Sequence, residues 1–164
     1  MKNAVAIFAA LAIVGCSAVH SRAQQAEDNK AVVQKFLDRM NQHDAGVVDE
    51  YVDPGFVEHN PAPGTEATRE GLKKMFIESF KGFPDMKTGL EHIVAEGDLV
   101  VIHLLTTGTN KGPMMGMPAT GKAIKVQEIH VLRMAHGKVM EHWGVEDNLA
   151  MMQQLGLMPE PGKK

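Results

Sequence analysis

"KAIKVQEIHVLRMAHGKVMEHWGVEDNLAMMQQLG", residues 122–156, decides how this chain folds. Polar and apolar residues mix with a period of two on both sides of "AHGK", which is the strand period. "AHGK" itself supplies turn chemistry, so the two runs read as a β-hairpin. The alternation then stops, and "NLAMMQQLGLMP" reads as a short closing helix. In the first strand Ile124, Val126, Glu128, His130 and Leu132 share one face. In the second, Val139, Glu141, Trp143 and Val145 share one face, with Met140, His142 and Gly144 on the other. Neither phase is cleanly polar, so both faces of this sheet ask for cover.

Upstream, "MKTGLEHIVAEGDLVVIHLLTTGTNKG" reads as a second strand pair, joined at "EGD". Between the pairs lies "PMMGMPATG", a loop rich in Met, Gly and Pro. Helices come first in the chain. "EDNKAVVQKFLDRMNQHD" repeats Val33, Phe36, Leu37 and Met40 at helical spacing, with Asp28 as a plausible cap. "AGVVDEYVDPG" reads as a short second helix ended by Pro54, and "FVEHNPAPGT" as a brief extended piece and a loop. A third helix starts near Thr68, turns Leu72, Met75, Phe76 and Phe80 inward, and stops before "GFPD". Helices followed by a meander of at least four strands imply an α+β fold, with the helices on one face of an antiparallel sheet.

The chain has 164 residues, 44% of them apolar and 23% charged, which suits one globular domain over 28–159. Seventeen Lys and Arg stand against 20 Asp and Glu, with no basic stripe, so nucleic acid is not an expected partner. Residues 1–23 read as a leader and tether. A basic start and the apolar run Ala4–Val14 make a secretory signal too short for an ordinary transmembrane helix. "IVGC" at its end resembles a bacterial lipobox, which would make Cys16 a lipidated first residue anchored in a membrane. "SRA" offers ordinary cleavage after Ala23 instead, giving a soluble exported protein. Residues 17–27 are expected to be a polar tether. Cys16 is the one cysteine, so neither an intrachain disulfide nor a thiolate metal cluster is available.

"FVEHNP", "GMPATGK", "EIHVLRMAHGKVMEHW" and "EDNLAMMQQLG" together resemble the SnoaL-like polyketide cyclases, predicted ester cyclases within the nuclear-transport-factor-like (NTF2-like) superfamily. The resemblance runs from about Ala31 to Pro159. It implies a cone: a curved antiparallel sheet around a cavity, closed by helices, a cystatin-like α+β barrel that pairs as a homodimer through its outer face. It also implies an intramolecular aldol condensation without metal or organic cofactor, run by an aspartate with a histidine near it. The aspartate matches Asp147 and the histidine matches His130, while His59 in "EHNP" matches a cavity-lining position. Apparent export departs from the cytoplasmic family members, so the fold is more firmly implied than the reaction.

Each of these residues has a plainer reading. Asp147 is either the general base, in a dry pocket that raises its pKa, or the N-cap of the closing helix. His130 either orients that carboxylate and donates to an enolate oxygen, or bonds within the sheet. His59 binds a substrate carbonyl or fixes its loop. Trp143 offers a flat wall to a ring or acyl ligand, or packs in the core. His142, its neighbour, is expected on the opposite face, at a dimer seam or in solvent. His103 reads as a satisfied core histidine. Met115 and Met117 could form a flap that contacts substrate, since Met adapts to irregular apolar shapes, or they pack on a partner subunit. The histidines are widely spaced and no "HExxH" is present, so no metal site is expected.

Three functional classes stay open. One is a cofactor-free acid–base enzyme, a cyclase or isomerase, acting on a small apolar carbonyl or ester compound. The second is an exported protein that binds such a molecule without turnover. The third is a structural dimer with a filled cone.

Overall fold

A computed structural model of the chain describes residues 22–114 and 116–159. Within it α1 is helical over 22–40, and α2 spans Val47–Tyr51, α3 Arg69–Gly82 and α4 Asn148–Leu155. The strands are β1 Val52–Glu58, β2 Lys87–Glu96, β3 Leu99–Thr109, β4 Ala123–Ala135 and β5 Lys138–Glu146. They form one sheet in the order β1-β5-β4-β3-β2. The architecture is the expected α+β, with helices over a curved sheet that stays open rather than closing into a barrel.

The hairpin turns fall where the sequence put them. His136 and Gly137 carry φ of 52° and 72° between β4 and β5. Positive φ at both central residues is the primed-turn geometry that matches strand twist. Gly97, with φ of 60°, opens the turn from β2 to β3. Thr68 caps α3 by accepting from the Gly71 N–H at 3.1 Å, and α3 reaches Gly82 before Phe83 ends it.

Three expectations need correction. The first helix is already formed at residue 22, so residues 22–27 are not a free tether, and Asp28 is an interior residue that accepts from Gln24 Nε2 at 2.9 Å. Pro54 does not end α2. The helix stops at Tyr51, and Pro54 lies inside β1, an edge strand, where a missing N–H is tolerated. And the sheet is not wholly antiparallel, because β1 pairs parallel with β5.

The helices cover one face of the sheet, the inner one. Val33, Leu37 and Met40 of α1, Val47 and Val48 of α2, and Val52 and Phe56 of β1 pack against Val100, Ile102, Leu104, Met134 and Val139. A second apolar cluster, Phe83, Ile124, Val126 and Leu155, sits toward the other end of β4, where α4 folds back. Between the two clusters β4 presents Glu128 and His130 on the same inner face.

Candidate functional site

One backbone irregularity decides which side chains of β5 reach the inner face. Arg133 pairs with Glu141, but Met134 pairs with Val139, so Met140 is an extra residue, a β-bulge. A bulge shifts the alternation by one. Val139 is buried in the core. Beyond the bulge, it is His142, Gly144 and Glu146 that share its side of the sheet, opposite Leu132, His130 and Glu128 respectively. His142 therefore faces inward rather than toward a seam or solvent. Trp143 points the other way, together with Glu141 and Val145.

Four side chains join across the inner face. His142 Nδ1 is in short contact with Glu58 Oε2 from β1. His142 Nε2 lies 2.8 Å from His130 Nδ1, and His130 Nε2 lies 3.1 Å from Glu128 Oε2. The two imidazoles are thus strung between two carboxylates over three strands. The parallel pairing of Glu58 with His142 brings β1 into the arrangement. Gly144 makes the link between the rings possible. A Cβ there would stand 2.8 Å from His130 Nδ1 and 2.9 Å from His142 Cε1, too close for any side chain to coexist with the contact.

The chain is largely dry along its length: side-chain exposure is 8% for Glu58, 18% for His142, 11% for His130 and 15% for Glu128. Burial is the largest single influence on the Glu58 carboxyl and pushes it up. The His142 hydrogen bond and charge, the Asn60 N–H at 3.0 Å and the His130 charge together outweigh it, so the carboxyl lies below its ordinary value. Glu146, directly opposite Glu128, behaves in the reverse sense. It is held above the ordinary carboxylate range, first because surrounding protein displaces bulk water and second because Glu128 adds like charge. Its surface is nonetheless exposed, and a recess of about 390 Å³ lies on the outer face beside it, where His103, Gln127, Ile129, Val145 and Asp147 meet the strand positions of Glu128 and Glu146.

The hydrogens in the buried chain can be counted. Each of its three contacts needs one hydrogen between the heavy atoms. Two neutral imidazoles carry only two N–H groups. The third hydrogen is an additional proton, held within the chain. All four ring nitrogens are engaged, so neither imidazole presents a free lone pair to a metal. Among the described residues, no group of three or more His, Cys, Asp and Glu is placed to hold one.

The remaining candidates lie elsewhere. Asp147 is exposed and caps α4, its Oδ1 accepting from the Ala150 N–H at 3.0 Å, while its own N–H donates to the Gln127 carbonyl at 3.1 Å. It lines the recess beside Glu146 but is not brought into the His130 network. His59 stacks on Trp143 at a centroid distance of 4.3 Å with planes 2° apart. Its Nε2 meets Glu141 Oε2 at 2.8 Å, and Arg133 Nε donates to Glu141 Oε1 at 2.6 Å. This cluster belongs to the outer face, so His59 and Trp143 are together but apart from His130. His103 is also on the outer face, half-buried, with Nδ1 3.1 Å from His92 Nδ1 and Nε2 3.3 Å from Gln127 Oε1. It is satisfied, as expected, but by the sheet surface and not by the core. Met117 closes a tight turn with Met114, whose side chain packs on the Phe83 cluster. Met115 lies outside the described residues. Buried Asn110 anchors this loop, donating to the Gly82 and Gly112 carbonyls and accepting from the Thr120 N–H at 2.7 Å.

Sequence reasoning missed Glu58, Glu128, Gly144 and Glu146. One signal was available: in "EIH" the two residues flanking Ile129 must share a strand face.

The sequence profile of the SnoaL-like polyketide cyclases matches residues 30–155. The chain is 35% identical over 116 residues to the aklanonic acid methyl ester cyclase DauD of Streptomyces sp. (strain C5), covering 67% of each. It is 36% identical over 113 residues to the aklanonic acid methyl ester cyclase DnrD of Streptomyces peucetius, covering 65% of this chain and 72% of the relative. The structure of TsrD from Streptomyces laurentii superposes with a TM-score of 0.73 at 26% identity, over 80% of this chain and 97% of that one. This chain belongs to the SnoaL-like polyketide cyclase family.

Proposed function

We propose that this protein is an acid–base catalyst of cyclase or isomerase type, acting without metal or organic cofactor on an apolar polyketide carbonyl or ester compound. One observation carries the reading: the carboxylate–imidazole–imidazole–carboxylate chain, which stores a proton between two apolar clusters. Ring closure of the aldol kind needs little else. A base takes a proton from carbon beside a carbonyl, the carbanion attacks a second carbonyl, and an acid returns a proton to the new alkoxide. Low local dielectric strengthens each of these transfers. His130 has the position to orient a carboxylate, and the carboxylate it touches is Glu128.

The test is turnover of aklanonic acid methyl ester, the compound in the relatives' names, by the purified chain, with His130→Gln beside it. Ring-closed product from the parent and a loss of roughly 10²–10⁴-fold in the variant are expected. Ligand binding with no product would leave a binding protein. If Asp147→Asn abolished turnover while His130→Gln did not, the base would be the cap residue and the inner chain would be structural.

Two further proposals concern context. Export as a lipoprotein with Cys16 as first residue is proposed from the leader, and intact mass of protein from a bacterial host tests it: lipidated Cys16 supports it, an unmodified Gln24 start refutes it. A homodimer of cones is proposed from the outer sheet face, where Val94, Ile129 and Val145 are 61%, 52% and 73% exposed. Light scattering should give twice the monomer mass, and a strict monomer at micromolar concentration would reject it.

A further inference from the structure

We propose that Glu128 and Glu146, facing each other across β4 and β5, are the proton-transfer pair of the site, Glu128 as base and Glu146 as acid. This rests on the acid–base reading above. Residues directly opposite on one face have Cβ atoms about 4.5–5.5 Å apart, and like charges there destabilise a sheet. Placing two carboxyls in that relation is costly unless one stays protonated. On that inner face Glu146 is exposed and Glu128 half-buried, so the pair has a side open to solvent. The buried chain ends at one of them: His130 engages Glu128 Oε2, which leaves Oε1 outside that bond.

Several titratable groups face the pair. Glu128 meets His130 on its own strand, and His142 and Glu58 stand behind. His103 lies behind the pair on the outer face, and Asp147 follows Glu146 directly in the chain. Burial and the Glu128 charge hold Glu146 in its acid form to higher pH than an ordinary carboxyl, against the opposing pull of His130 and His142. The roles then divide as in other carboxyl dyads, where environment pushes two like groups apart.

In the step itself, Glu128 Oε1 takes the proton from carbon beside the substrate carbonyl. The electron pair left behind forms the new carbon–carbon bond to a second carbonyl carbon. That carbonyl's π pair moves to its oxygen, which takes the Glu146 proton. Glu128 is then protonated and Glu146 ionised, and one proton passed across the pair restores the start. No atom or electron is left over. His130 and His142 are positioning residues: they hold Glu128 in place without leaving their own hydrogen bonds.

The experiment has two arms on the full chain. In the first, the side-chain carboxyl carbons of 13C-labelled protein are titrated by NMR, in the parent and in Glu128→Gln. Glu146 should titrate above the ordinary carboxylate range in the parent and move back toward it in Glu128→Gln. In the second, kcat and KM are measured on aklanonic acid methyl ester for Glu128→Gln and Glu146→Gln. Each should lose roughly 10²–10⁴-fold in kcat with KM little changed. Parental kcat in Glu146→Gln overturns the proposal, as does a Glu146 titration indifferent to Glu128→Gln. If the parent itself leaves the ester unchanged, the cyclase reading fails on that substrate while the titration still decides whether the pair shares its proton. Both substitutions are isosteric, and a retained cooperative melt separates chemistry from folding.

Discussion

The two faces of this sheet carry the same chemical vocabulary to different ends. Inside, Glu58, His142, His130 and Glu128 form a chain between apolar clusters. Outside, Arg133, Glu141 and His59 form another, with Trp143 under the His59 ring. Each joins carboxylate to imidazole at hydrogen-bond distance. The difference is what else could solvate the groups. Water competes for the outer cluster, so its bonds are replaceable. The inner one, apart from the Asn60 N–H on Glu58, relies on its own members, and loss of one strands another in a dry interior. Chemistry that depends on a held proton belongs on the inner face. The outer cluster suits a surface that meets solvent or another protein.

The sharpest way to break the comparison is Gly144→Ala. The added Cβ lands within 3 Å of both inner rings and forces the His130–His142 contact apart. Unpaired buried polar groups cost about 1–3 kcal/mol, so a clear drop in melting temperature is expected. Turnover should fall toward that of His130→Gln. Unchanged stability and turnover would show that the rings do not act together.

Glu58→Gln separates the faces by pH. The Glu58 carboxyl is depressed in the folded state, although burial alone would raise it, because His142, the Asn60 N–H and His130 favour its ionised form. Its contribution to stability is therefore fully present above the ordinary carboxylate pKa. It is lost as pH falls from there through the lower, folded value. Glu146 has the opposite sign: its raised pKa makes the fold less stable as pH rises from the ordinary range through the folded value. Melting curves in acid should show parent and Glu58→Gln converging as pH falls. Parallel curves would mean that Glu58 is not ionised in the fold.

Much of this was legible in the chain. The β4 alternation, the "AHGK" turn, the start of α3 near Thr68 and the α4 cap could all be read, since each depends on local spacing. The bulge at Met140 could not, because it exists only relative to the partner strand. Missing it exchanged the faces of His142 and Trp143. The parallel seat of β1 was hidden for the same reason, and with it the role of Glu58, immediately beside the His59 that drew attention. Glu146 stood next to Asp147, the more conspicuous cap. In both cases strand phase, not residue type, separates the inner group from its outer or exposed neighbour.

A smaller effect separates cap from chemistry. Asp147→Ala should cost about 1 kcal/mol by leaving the Ala150 N–H without its partner, while Asp147→Asn should cost little, because Asn caps nearly as well. Thermal melts of the pair measure this. Under the inner-face reading both variants keep most of their turnover once corrected for folded fraction. A turnover loss shared by Asp147→Asn would instead join the cap to the reacting groups.

The smallest change is expected at Glu141→Gln, the counterpart on the outer face. Its carboxyl is held below the ordinary value first by the His59 hydrogen bond and then by Arg133, so it is charged at neutral pH and paired on both oxygens. Pairs within reach of water contribute little, because solvation of the separated partners nearly offsets the attraction and salt screens the rest. The His59–Trp143 stack does not depend on the charge. Melting temperature should therefore barely move, and less still at high salt. The same variant also probes the proposed dimer. If a second copy covers this face, water no longer competes, and Glu141→Gln would shift the dimer dissociation constant while leaving the monomer's melt alone. Sedimentation across a concentration series distinguishes the two, and a change in monomer stability comparable to Gly144→Ala would erase the distinction between the faces.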